Sequence, residues 1–197
     1  MGHAGSGHAS HAEVIYQSCR VPRANLLGPQ GSGFLIAQNR LRPGRIHHCM
    51  RWLGIAARAF DMMCTRANER VTDADGGTLA GKQVIQHWAA ELEAEIRGVR
   101  LQTWHVAWMI DRHGASAARD EISAIKFEVA NTMLKVVDTS IQVQGALGVT
   151  DDTILPYWSR HERLARIYDG ADEVHPTGLG RRILRRYALP SAGGRAR

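Results

Sequence analysis

A chain of 197 residues, 44% hydrophobic and 22% charged, is long enough to bury a core without staples and has the composition of a globular protein. Three cysteines at irregular spacing, with no CxxC pair, exclude a zinc ribbon and a disulfide framework and predict a reduced, cytoplasmic setting. The net charge of +6 gathers largely in Arg181, Arg182, Arg185, Arg186, Arg195 and Arg197, without interleaved aromatics or a nucleic-acid motif, so no nucleic-acid partner is predicted and phosphate-rich anions suit the surface as well.

Residues 1–11 (MGHAGSGHASH) lack the apolar core of a signal peptide and are read as a flexible tail; their histidines are not assigned a metal. No apolar run approaches the ~18–20 residues that span a bilayer, so membrane insertion is not predicted. Segment 13–19 (EVIYQSC) alternates apolar and polar residues as a short strand does. It leads through Val21-Pro22 into the turn-rich run Gly28-Pro29-Gln30-Gly31-Ser32-Gly33. Residues 12–33 are therefore expected to be the end of a β-structure followed by a linker.

From residue 34 the pattern is helical. One long helix is predicted over 34–70, tightened around Pro43-Gly44, and a polar loop over 71–78 (VTDADGGT). A second helix is expected at about 79–112, where Leu92, Ile96, Val99 and Val106 recur at three, four or seven residues. His113-Gly114 supplies its stop, and Ser116 is the expected cap of the next helix. That helix, about 117–144, carries the stripe Ile122, Ile125, Val129, Met133, Val136, Val137 and Ile141, closed by Gly145 and Gly148. Shorter helices are expected at about 152–165 and 171–187, then a flexible basic tail over 188–197. The sum is an all-α fold: an antiparallel helical bundle over 34–187, with a short N-terminal β-strand remnant. Trp52, Trp88, Trp104, Trp108 and Trp158 are expected to pack in its core or at an interface.

Four segments, in order, carry a resemblance. The first is Val21-Pro22-Arg23-Ala24-Asn25-Leu26-Leu27-Gly28 with Gly31-Ser32-Gly33-Phe34, followed at a set distance by Gly44-Arg45-Ile46. The second is Arg70 with Leu79 to Gln83. The third is Ile141-Gln142-Val143-Gln144-Gly145-Ala146-Leu147-Gly148. The fourth is Arg166-Ile167-Tyr168-Asp169-Gly170-Ala171-Asp172-Glu173-Val174-His175. Together they resemble the C-terminal domain of the acyl-CoA dehydrogenase family, in the branch with a DGPDEVH-like segment, over residues 12–187.

The resemblance implies α,β-dehydrogenation of an acyl-CoA thioester with FAD, in fatty acid metabolism, with an electron-acceptor flavoprotein downstream. It places Asp169 at the position of the carboxylate base, where many members carry glutamate. A thioester α-proton is too weakly acidic to leave unaided at neutral pH, so a positioned carboxylate in a dry pocket is what the chemistry needs. By spacing alone, Asp169-Gly170 reads first as a turn, or Asp169 as a helix cap, and it is the match across the whole segment that favours the base. Arg45 and Gly170 fall at substrate-facing positions. Arg70, Lys82, Gln83, Gln142, Val143, Gln144, Gly145, Ala146, Ala171, Asp172 and Glu173 fall at FAD-contacting positions, largely those that serve a neighbouring subunit. An arginine pairs with pyrophosphate, and glutamine amides hydrogen-bond adenosine.

Several residues depart from the pattern. Asp73-Ala74-Asp75-Gly76-Gly77 lengthens the loop after Arg70 and brings carboxylates toward the pyrophosphate position. Ala146 replaces a second glycine, and Ala171 lacks a hydroxyl. The family's N-terminal helical and middle β-domains precede the region matched here. The expectation is a homo-oligomer (dimer or tetramer), or a partner chain supplying those domains, with weak or absent FAD binding and low or absent activity for the chain without them. Aspartate as base also fits a nitroalkane oxidase-like flavoenzyme, and the bundle alone fits a non-catalytic oligomerisation module.

Overall fold

A computed structural model describes residues 12–188, so the expectations for residues 1–11 and for the tail beyond Ala188 lie outside the described residues. The chain divides into two compact units, one ending at Ala37 and the other beginning at Gln38.

In the first unit, segment 13–19 forms no strand. Val14, Ile15 and Tyr16 are 68%, 69% and 80% exposed. A single strand has no ladder to join, and its period-2 pattern then has nothing to pack against. The strand expectation is therefore corrected. The unit instead makes a 3-10 turn over Arg23–Asn25 and a tight turn in which the Ser32 backbone N–H and hydroxyl both donate to the Pro29 carbonyl, at 3.1 and 2.6 Å.

Five α-helices occur among the described residues: α1 Gly33–Glu69, α2 Gln83–His113, α3 Arg119–Gln144, α4 Leu155–His161 and α5 Val174–Arg186. α1 accommodates Pro43 in its interior, losing the hydrogen bond that residue's missing N–H would make. α1 buries Cys49, Trp52, Leu53, Ala56, Ala59, Met63 and Ala67, a three/four spacing that puts them on one face. α2 starts later than expected, after a 3-10 turn over Leu79–Gly81, and buries Ile85, Leu92, Ile96, Val99 and Val106. Gly114 ends it in the left-handed region, φ +80°, with its N–H on the Ile110 carbonyl.

α3 is the centre of the bundle and packs on α2, α4 and α5. It meets α1 through Ser140 Oγ, 2.9 Å from the Ala59 carbonyl, and through Gln144 Nε2, which donates to the Met62 carbonyl at 3.2 Å. Ser116 does not cap α3. Ala118 holds that position without a side-chain bond, and Ser116 Oγ accepts from Arg42 Nη1 at 3.1 Å. The expected helix at 152–165 is two pieces, α4 and a 3-10 turn over Glu162–Arg166. The last helix begins at Val174 rather than 171, because residues 167–173 form a loop. Trp52 is fully buried, whereas Trp104 and Trp108 are 55% and 50% exposed on α2.

Candidate active site

The loop between the 3-10 turn and α5 turns sharply at Asp169 and Gly170, whose φ values are +56° and +102°. Aspartate tolerates the left-handed region better than most residues, and glycine enters it freely, so the pair reverses the chain here. A methyl added at Gly170 would lie 2.7 Å from His175 Nε2. The turn is closed by the Asp172 N–H on the Arg166 carbonyl, at 3.0 Å.

Two side chains hold the backbone carbonyl of Asp169. Arg45 Nε on α1 donates to it at 3.0 Å, and His175 Nε2 on α5 lies 3.2 Å away. The carboxylate itself, 16% exposed, has Oδ2 3.0 Å from His48 Nε2 on α1. It does not cap α5. Burial pulls His48 and His175 below the ordinary imidazole range, opposed by the Asp169 carboxylate and carbonyl respectively, so both rings favour the neutral form. Burial also lowers Arg45, against the pull of Asp169.

Beneath the turn lies a charged core. Lys126, fully buried on α3, donates from Nζ to the Ala165 carbonyl at 2.7 Å and sits 3.6 Å from Asp172 Oδ1. Asp172 Oδ2 accepts from Arg166 Nε at 2.7 Å and from Asn131 Nδ2 at 3.2 Å. Beside it, Glu162 Oε2 accepts from Arg51 Nη2 at 2.8 Å and from Trp52 Nε1 at 3.1 Å, and Arg51 also donates to the Tyr168 hydroxyl at 2.6 Å. Buried charges persist when paired in this way.

A cleft of about 220 Å³ is lined by Arg42 and Arg45 of α1, Arg119 and Ser123 of α3, and His175 and Arg182 of α5. It therefore shares with the turn the two side chains that hold Asp169. The first residues of α3 and α5, Arg119 and Val174, also line it. Arg182 is partly neutralised by Asp120 and donates to Ser123 Oγ at 3.3 Å.

The sequence profile described as "Acyl-CoA dehydrogenase, C-terminal domain" matches residues 31–184. The chain belongs to the acyl-CoA dehydrogenase family. It is 47% identical over 176 residues to a protein named "Probable acyl-CoA dehydrogenase FadE2" from Mycobacterium tuberculosis, covering 89% of this chain and 43% of that one. It is 40% identical over 185 residues to human acyl-CoA dehydrogenase family member 11, covering 94% of this chain and 24% of the relative. Butyryl-CoA dehydrogenase of Megasphaera elsdenii superposes with a TM-score of 0.79 at 26% identity, over 87% of this chain and 44% of that one. The chain thus spans less than half the length of these relatives, and its helical fold is that of the family's C-terminal domain.

The structure brings together some of the positions that family resemblance singled out. Asp169 and Gly170 form the turn, and Arg45 reaches its backbone from α1. Arg70 and Gly145 also meet: Gly145 has φ +69°, and a methyl there would lie 2.9 Å from Arg70 Nη1. Gln83, Gln142, Ala146 and Glu173 are exposed, and Ala171 is half-buried. Other positions are committed inside the chain. Lys82 Nζ grips both oxygens of Asp73, at 2.6 and 2.7 Å. Val143 is buried, Gln144 is buried on Met62, and the Asp172 carboxylate belongs to the Lys126 core.

His48, His175 and Lys126 had no assigned role from sequence. Lys126 follows Ile122 by four residues and so falls on the apolar stripe of α3. A charge at a stripe position is the signal that marks it.

Proposed function

We propose that this chain carries the base of an FAD-dependent acyl-CoA dehydrogenase, and that Asp169 is that catalytic residue. The observation that supports it is a carboxylate, mostly buried, presented on a strained turn whose backbone is gripped by Arg45 and His175, both of which line the arginine-rich cleft. A carboxylate held at a low-water surface beside fixed cations is equipped to accept an α-proton. Several arginines together (Arg42, Arg45, Arg119 and Arg182) suit a ligand with several anionic groups, as a CoA thioester has, whereas a small nitroalkane would engage one of them.

For the cofactor, Arg70 over Gly145, with Gln142 exposed nearby in sequence, forms a cradle fitted to a dinucleotide: a cation, and a backbone free of a side chain. Bound FAD supplies the acceptor for the β-hydride. Gln144 and Val143 have buried side chains, so their part in this cradle is through the backbone; Asp172, held on Asn131 of α3 about 20 Å along the helix from Gly145, lies apart from it. Lys82 is neutralised by Asp73, which weakens the cradle and supports low flavin affinity for the isolated chain. Leu101, Trp104 and Trp108, all at least half exposed on α2, support a homo-oligomeric assembly or a partner chain, and an electron-acceptor flavoprotein completes the reading.

The test is oxidation of acyl-CoA by a flavin-loaded assembly containing this chain, followed with an artificial electron acceptor. Asp169→Ala abolishes turnover and leaves the helical circular dichroism intact. Unchanged turnover, or faster oxidation of a nitroalkane than of any acyl-CoA, overturns the assignment.

A further inference from the structure

We propose that His48 is the positioning residue for Asp169, donating from Nε2 to Oδ2 and so leaving Oδ1 as the oxygen free to accept a proton. The inference rests on Asp169 as the base.

The backbone of Asp169 is already fixed by its left-handed φ and by Arg45 and His175 on its carbonyl. What remains free is the side chain. Among the described residues, His48 is the group that bonds the carboxylate, at 3.0 Å. An ionised carboxylate only accepts, so the contact requires a proton on Nε2. The ring that supplies it is itself held. It stacks on Trp52 with centroids 5.8 Å apart and planes at 26°, and it meets Tyr168 at 5.2 Å. Trp52 and Tyr168 are tied in turn to Glu162 and Arg51. The charged and titratable groups around the imidazole are Asp169 and Tyr168 from the turn, Glu162 from the 3-10 segment, and His47 and Arg51 from α1. Asp169 is the largest pull toward protonation, opposing burial.

A carboxylate with one oxygen anchored and one free is oriented without being consumed. A short side chain has fewer torsions to fix, so one donor suffices.

The test is long-range ¹H–¹⁵N spectroscopy of the full chain labelled at histidine, with His48→Gln assigning the resonance. His48 is expected as the Nε2–H tautomer at neutral pH, and Asp169→Asn should lower its pKa by about half a unit or more, since an opposing charge is lost. An Nδ1–H tautomer, or a titration that Asp169→Asn leaves unmoved, overturns the pairing whether or not flavin is bound. In the flavin-loaded assembly, His48→Leu should lower kcat about tenfold with KM within about twofold, and His48→Gln, which keeps a donor, should recover most of it. Wild-type kcat in His48→Leu, with Asp169→Ala inactive, sinks the positioning role and leaves the base assignment standing. Wild-type kcat in Asp169→Ala sinks the base assignment itself.

Discussion

Lys126 and Asp172 meet at 3.6 Å in the interior, and the same Lys126 ammonium donates to the Ala165 carbonyl at 2.7 Å. Residues 165 and 172 bracket the turn that carries Asp169, so one buried cation ties both ends of that turn to α3. Removing it leaves a carbonyl without its donor and a buried carboxylate with Oδ1 facing no charge. Lys126→Met should therefore lower unfolding free energy by about 2–4 kcal/mol, read from urea melts. Adding Asp172→Asn should recover part of that loss, giving a coupling of about 1 kcal/mol or more. Independent, additive effects would show that the two do not act as a pair.

Glycine substitutions separate backbone strain from collision. Gly170→Ala meets both, a φ of +102° and His175 Nε2 at 2.7 Å, and should cost about 2–3 kcal/mol. Gly145→Ala meets strain and only the mobile end of Arg70, and should cost about 1 kcal/mol. Gly148→Ala drives a methyl to 2.6 Å from the Ile141 carbonyl oxygen, which cannot move aside, and should exceed Gly145→Ala. Thermal melts that reverse this order would contradict the local geometry.

Acid should weaken the fold before most carboxylates protonate. Burial holds His175 below its ordinary value of 6.5, and His48 shifts in the same direction. Between the folded and unfolded values, the unfolded chain binds more protons, so stability falls as pH drops through the region below 6.5. His175→Gln should flatten that slope relative to wild type. Parallel stability curves for the two proteins between about pH 6.5 and 5 would refute the linkage.

The loop at 71–78 makes a prediction about flavin. Both oxygens of Asp73 hold Lys82 Nζ, and the Asp73 carboxyl is lowered chiefly by that hydrogen bond. Asp73→Asn frees the ammonium and removes a negative charge. Flavin affinity of the assembly, measured by fluorescence quenching, should rise severalfold and become more sensitive to salt. No change would place Lys82 away from the cofactor.

Much of the bundle was legible because its stripes are long. Ile122 to Ile141 on α3 repeats at three and four residues, and Gly114 stops α2 where its left-handed φ permits. Asp169 was singled out by its neighbours in sequence, and the structure puts it on a turn held by Arg45 and His175. Segment 13–19 misled because alternation reports a strand's faces and says nothing about whether a partner strand exists. His48 was illegible for a different reason. Its ring meets a residue more than a hundred positions away, and helix periodicity places it only at the margin of the buried face, beside Cys49 and Trp52. The Arg166–Asp172 pair was hidden too, since loop backbone rather than periodicity joins them.

The left-handed backbone at Asp169 sets side-chain reach as well as direction. From a φ of +56°, one methylene brings the carboxylate to the His48 imidazole at 3.0 Å. A glutamate on the same backbone would have to fold its extra methylene back to keep that contact. The length of the acid on the turn and the place of the imidazole on α1 are thus matched to each other.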